Sequence, residues 1–257
     1  YRLWPERWDE VVLRHGPTDP EVIWQMVIEV IKGEEPVRSQ VEPMNHLTDV
    51  KEQLRKDAKA AYKAYQNTQD LGTIDHVLDR AYYQHLLSLL DHPECGLEYD
   101  FFKEAIALQA DIANLQIYLR LQAAHANRSF LRSVLVPGGA IKEEQLIELY
   151  PEGKHYELEH LYRDSKAHDL VKYTSDFMQP EKLRNFNRDA DNLLTQFCER
   201  GFRVPYAAEV VIAYWRGGQM ELRNLRLLLS ARSREPSFEE AKSFMRDSTR
   251  WEVDHDQ

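Results

Sequence analysis

Two short motifs carry the residue types of metal-ligand chemistry. Glu152-Gly-Lys-His155 and Glu157-Leu-Glu-His160 both read Glu-x-x-His. That spacing lets one helix offer a carboxylate and an imidazole to a carboxylate-bridged metal pair, provided the motifs sit on separate facing helices and two further helices add carboxylates. Here both fall within nine residues, and Pro151 and Gly153 put the first in a loop. A charged helix start is the expected reading, and no metal site is assigned. His76, beside Asp75 and Asp79, reads as part of a helix-face pair, and no cysteine pair has zinc spacing. The close glycine pairs, Gly138-Gly139 and Gly217-Gly218, lack the pattern of a phosphate loop, so both are read as loop punctuation and no nucleotide cofactor is expected. No nucleophile can be matched with a base, so no catalytic residue is assigned. Arg216, Arg223 and Arg226, with Arg232 and Arg234 beyond them, are the remaining cluster. Spacings of seven and three put the first three on one helical face: a solvated face, a basic patch for an acidic protein partner or, last, a nucleic-acid contact.

Composition narrows the classes. The 257 residues suffice for one large or two ordinary domains, with 43% hydrophobic and 30% charged residues, the balance of a soluble globular chain. A net charge of −10 argues against nucleic acid as the main partner, which needs a broad basic surface. Two cysteines, Cys95 and Cys198, are no disulfide framework, and a reducing cytoplasm is the expected compartment. No apolar run approaches the roughly 20 residues of a membrane span, and no signal-peptide pattern opens the visible sequence.

The elements that must position these residues read as helices. Turn signals fill the first twenty residues, around a short helix over Glu6 to Arg14. Asp19-Pro20 caps a helix that Gly33 stops, and Pro36 and Pro43 bracket a linker. Helices are expected from Thr48 or Asp49 to about Asn67, from Thr73 to Leu90, and from Tyr99 to about Ala126. After a short element at 129–136, Pro137-Gly138-Gly139 is the strongest break in the chain. Beyond it come helices at 142–149, 157–168, 169–178 and 181–200, the last stopped by Gly201. Pro205 opens a helix to Trp215, Gly217-Gly218 is expected to break it, and a further helix spans Glu221 to Ser230. Ser237 and Glu240 form a capping box for a last short helix before a polar tail. Strict alternation is absent and β-branched residues are sparse, so the fold class is all-α.

One pattern recurs. Asp111-Ile-Ala-Asn114-Leu and Glu221-Leu-Arg-Asn224-Leu share an acid, an aliphatic and an asparagine at the same spacing, 110 positions apart. Ile112, Leu115 and Leu119 run beside the first, and Leu222, Leu225 and Leu229 repeat that stripe. Asparagine is a poor helix former, so its place here predicts a buried side chain bonded to neighbouring backbone. Upstream, the run from Asp79 aligns with the run from Asp189 at the same offset. Two landmarks at one offset predict an internal repeat.

Together these runs resemble a known family. Leu78-Asp79-Arg80-Ala81-Tyr82-Tyr83, then Asp111-Ile-Ala-Asn-Leu with Leu119-Arg120, then Pro137-Gly-Gly with Glu144-Gln-Leu, and finally Glu221-Leu-Arg-Asn-Leu-Arg follow the landmark order of the C subunits of bacterial and archaeal V-type (A-type) ATPases. Those proteins are the counterparts of the d subunits of eukaryotic vacuolar ATPases. The matches run from about Leu78 to Arg234, and Ser230 departs from the pattern where the earlier copy has Arg120. The resemblance implies a funnel of three similar helical units around a pseudo-threefold axis. Two are visible here, over residues 1–136 and 137–257, and the first unit is expected to be missing because the sequence opens on Tyr1. It also implies a non-catalytic central-stalk adaptor, cytoplasmic and peripheral to the membrane, between the shaft and the membrane rotor ring. The ring moves H⁺ or Na⁺, and the adaptor itself has no transmembrane segment, cofactor or nucleic-acid partner. A helical-repeat scaffold unrelated to ATPases and a helical-bundle metal enzyme are the other classes weighed.

Overall fold

A computed structural model describes residues 45–90, 100–150, 155–174, 179–204, 208–233 and 238–247. Among them every regular element is helical, in nine α-helices and two 3₁₀ segments. The expected helices before residue 44 lie outside the described residues, as do Cys95, Glu152 and Arg234. No helix among the described residues is long and apolar enough to cross a membrane.

The chain divides into two compact units, residues 1–81 and 82–257. The first contains α1 (Asn45–Thr68) and the start of α2 (Gly72–Leu90). Helix α1 is laced along its exposed side by Lys56 to Glu52 at 3.1 Å and Gln53 to Asp57 at 2.9 Å, the one-turn pairs that stabilise a solvated helix face. It stops where Gln69 adopts a φ of 56°. The Asp70 carboxylate then accepts from the Gly72 N–H at 3.0 Å and starts α2.

The second unit holds the main core. Helix α3 (Asp100–Ala123) has Asp100 in its first turn and Arg120 in its last, both complementing the helix dipole. It is followed by α4 (Arg128–Val134), α5 (Glu143–Leu149), α6 (His155–Tyr162) and α7 (Pro180–Glu199). The Asn127 side chain caps α4 by accepting from the Phe130 N–H at 2.7 Å. Leu115, Tyr118, Leu131, Leu146, Leu158, Tyr162 and Phe186 are fully buried in one cluster built from α3 to α7. That cluster runs across Pro137. The loop therefore separates sequence-similar segments without interrupting the packing.

The structure corrects two of the expected elements. Of the pair of helices expected over 157–178, the described residues to 174 form one short helix, α6, followed by a 3₁₀ segment at His168–Tyr173. Ser165 is the cause: its hydroxyl accepts from the Ala167 N–H at 3.1 Å and donates to Asp111. Such local bonds compete with the helical ladder. The second correction is larger. Helix α8 (Ala208–Ser233) runs unbroken through Gly217-Gly218, followed by α9 (Phe238–Ser243). Each glycine costs a helix about 1 kcal/mol. Packing outweighs it, because Gly217 falls on one buried helix face with Ala213 and Met220, both at 0% exposure. Before α8, Gly201 sits in a 3₁₀ turn (Arg200–Arg203) against the backbone of Glu209; a Cβ there would stand 2.4 Å from the Glu209 carbonyl oxygen.

Candidate functional site: paired asparagine clasps and an arginine cluster

Asn114 is fully buried. Its side-chain amide donates to the Val136 carbonyl at 2.9 Å, and its Oδ1 accepts from the Val136 N–H at 2.8 Å. Asn224, 7% exposed, does the same to Arg246, with both bonds at 2.8 Å. Each clasp closes over the same separation of 22 residues. A primary amide matches a peptide group donor for acceptor, so each asparagine satisfies both backbone groups of a residue that no helix ladder serves. The two copies thus share a specific tertiary bond as well as a sequence pattern.

The acids of the landmark do not share a role. Asp111, 2% exposed, turns inward. Its Oδ1 accepts from the Ile141 N–H at 3.0 Å and its Oδ2 from the Ser165 hydroxyl at 3.4 Å. Gly139 is required beside it, since a Cβ there would stand 2.4 Å from that Oδ1. Gly138 supplies a φ of 94° in the same loop. Glu221, its counterpart on α8, is exposed.

Burial raises the Asp111 pKa above its ordinary 3.8, against lowering by the Ile141 N–H, the Ser165 hydroxyl and the Ala140 N–H. The folded chain keeps this proton to higher pH than the unfolded chain. The group's contribution therefore favours the fold below pH 3.8 and is lost as pH rises through the folded value. Asp111→Asn removes the titration while leaving an acceptor for Ile141. Its stability relative to the parent, read by urea unfolding from about pH 3.5 to 7, is expected to rise with pH. Relative stability of the variant that falls as pH rises would show instead that the fold favours the carboxylate.

The upstream acids also differ. Asp79 on α2 is exposed, and its pKa is raised by desolvation and then by Asp75, with His76 opposing. Asp189 on α7 accepts from the Tyr173 hydroxyl at 2.6 Å and pairs with Lys172 at 2.9 Å and Arg188 at 2.8 Å. Desolvation, which alone would raise its pKa, is outweighed by these bonds, so its carboxyl sits below the usual 3.8.

Two of the three arginines of the cluster, Arg216 and Arg223, converge on Asp191, two residues beyond the Asp189 landmark and without a role in the sequence pattern. Arg216, 12% exposed, reaches the Asp191 Oδ1 at 3.0 Å and the Asp191 carbonyl at 3.1 Å. Arg246 reaches Oδ2 at 3.2 Å, and Arg223 donates to the same oxygen. The cluster ties α7, α8 and the segment after α9 together. Arg216 and Arg223 are thus spent on an internal carboxylate, and Arg226 alone of the three stands exposed without an Asp191 bond. The signal available in sequence was the Asp-Ala-Asp run opposite an arginine-rich helix, but neither names which carboxylate the guanidiniums meet.

Among the described residues no three His, Cys, Asp or Glu side chains group as metal ligands. His160 of the second Glu-x-x-His motif is engaged by Tyr156, ring centroids 4.4 Å apart, and by the Arg163 guanidinium. Cys198 is a buried free thiol whose pKa burial pushes up, with Arg216 opposing. The clasp and Asp191 bonds tie the helices and the turns between them together.

Comparison with known proteins agrees with the landmarks. The family model described as ATP synthase (C/AC39) subunit matches residues 23–243. The C subunit of the A-type ATP synthase of Haloquadratum walsbyi is 24% identical over 187 residues, 72% of this chain and 53% of that protein. The protein of the same description from Haloferax volcanii is 26% identical over 178 residues, 68% of this chain and 49% of its own length. The chain thus spans about half the length of the curated relatives it matches. No solved structure matches it.

Proposed function

This chain belongs to the ATP synthase (C/AC39) subunit family, and from that premise we propose that it is the adaptor that joins the central shaft of a rotary ATPase to its membrane rotor ring. In this reading ATP hydrolysis in the soluble head turns the shaft, and the adaptor passes the torque to a ring that moves H⁺ or Na⁺; in synthesis the flow reverses. The adaptor lies on the cytoplasmic face, peripheral to the membrane, and catalyses nothing itself. Residues 1–136 and 137–257 are two of three similar units around a pseudo-threefold axis.

The family match over residues 23–243 carries the reading. The buried clasps of Asn114 and Asn224 support it physically. A torque-bearing part needs stiffness, and close-packed helices tied across turns transmit strain without yielding.

Arg226 provides the test, since it is exposed and its charge is not spent on Asp191. Arg226→Glu is expected to fold with parental stability and to associate more slowly with the shaft and ring proteins at low salt. The difference should fade as salt rises, because exposed charges are screened beyond about 10 Å at 0.1 M. In reconstituted vesicles the ATPase rate should persist while ion uptake falls. Unchanged coupling together with unchanged association kinetics would remove this contact from the adaptor reading.

A further inference from the structure

Asn114 and Asn224 hold two segments by the same pair of bonds, and the segments differ in what anchors them besides. Val136, held by Asn114, ends a run in which Leu131, Val134, Leu135 and Val136 are at most 2% exposed. Apolar burial anchors that segment. Arg246, held by Asn224, lies in a run where Ala241 is the one buried side chain among residues 241–247.

Polar groups hold this second segment instead. The Arg188 guanidinium donates to the Ser243 carbonyl at 2.9 Å, and the Arg184 guanidinium stands 4.5 Å from the centre of the Phe244 ring. The Arg246 guanidinium reaches Asp191 at 3.2 Å, and the Asp247 N–H donates to the Asn192 side chain at 2.9 Å. With the two bonds of Asn224, all of these tie the segment to α7 and α8. Helix α9 within it has six residues, too few to persist alone. Arg216 and Arg223 also bind Asp191, so the tie between α7 and α8 survives when Arg246 leaves.

We propose that residues 238–247 form a releasable strap, which opens from α7 and α8 as one unit while the rest of the fold stays closed. A segment that buries few apolar groups opens at a lower free energy than the core. Opening vacates the Asn224 amide and uncovers the strap's face of α7 and α8. The Val136 segment carries the same clasp and opens only with the core, because its leucines and valines are part of that core. One clasp is thus fixed and the other is a latch. The strap goes beyond the adaptor reading and stands on these bonds alone.

The test is residue-resolved amide hydrogen exchange on the whole chain, in urea concentrations below the unfolding transition. The Val136 and Arg246 N–H groups are matched reporters, since each donates to an asparagine Oδ1. Corrected for intrinsic rates, Arg246 is expected to exchange at least about tenfold faster than Val136, and with a weaker urea dependence, because a local opening exposes less surface. The Phe244 and Met245 N–H groups report whether the strap moves as a unit. They bond to the Ala241 and Lys242 carbonyls and do not touch Asn224. Asn224→Ala should speed their exchange about tenfold, as two hydrogen bonds are lost, and leave Val136 unchanged. Arg246→Met keeps the backbone clasp and removes the bond to Asp191, and it should speed Phe244, Met245 and Asp247 together. Equal protection and equal urea dependence at Val136 and Arg246 would overturn the strap. So would Phe244 and Met245 rates that neither variant moves, which would mean separate fraying, or variants that speed Val136 by the same factor, which would mean global unfolding.

Discussion

Replacing Asp191 with alanine is expected to lower the unfolding free energy of the chain by about 1.5–3 kcal/mol, the range for hydrogen bonds to a charged group, since the cluster is partly buried. The Asp191 side chain is 14% exposed, with Arg216 at 12% and Arg246 at 20%. Truncating it leaves two largely desolvated guanidiniums without their carboxylate and frees the segment after α9 from α7. Arg223, at 47%, adds little, because an exposed pair gains little over its solvation. Urea unfolding followed by helical ellipticity measures the loss. A second substitution distinguishes charge from packing. Arg216→Met in the Asp191→Ala background should recover part of the loss, since an apolar side chain of similar length removes an unpaired charge. An Asp191→Ala midpoint equal to the parent's would mean that these arginines are solvated and the cluster is only a surface contact.

Asn114→Leu is expected to cost about 2–4 kcal/mol. It leaves the N–H and the carbonyl of Val136 without partners, and each unsatisfied buried group costs roughly 1–3 kcal/mol. Val136 is 1% exposed, so water cannot replace the lost amide. The equivalent Asn224→Leu should cost less, because Asn224 is 7% exposed and its partner Arg246 is only partly buried. The order of the two losses is therefore part of the prediction. Thermal melts of both variants that coincide with the parent would deny the clasps a structural role. A larger loss at Asn224 than at Asn114 would mean that burial does not govern their strength.

The sequence alone determined the fold class, because helix-forming periodicity without strand alternation is a property of neighbours three and four residues apart. It also determined the family, through landmarks whose order survives at about a quarter identity. The asparagines at 114 and 224 were legible for the same local reason: a poor helix former inside an apolar helix needs a partner. The partner itself was not legible, since it lies 22 residues away across a loop. Gly217-Gly218 reads as a break because local propensity says so, and only the burial of the helix face that Gly217 shares with Ala213 and Met220 carries α8 through it. Arg216 and Arg223 read as an outward patch because spacing gives a shared face without giving its direction. Asp191, 25 and 32 residues earlier, draws Arg216 inward and binds Arg223 while leaving it half exposed. The stripes beside the two asparagines have identical spacing, yet Leu115 and Leu119 are buried while Leu222, Leu225 and Leu229 are exposed among the described residues. Periodicity marks an apolar stripe, and only the tertiary structure supplies α7 to pack along α3.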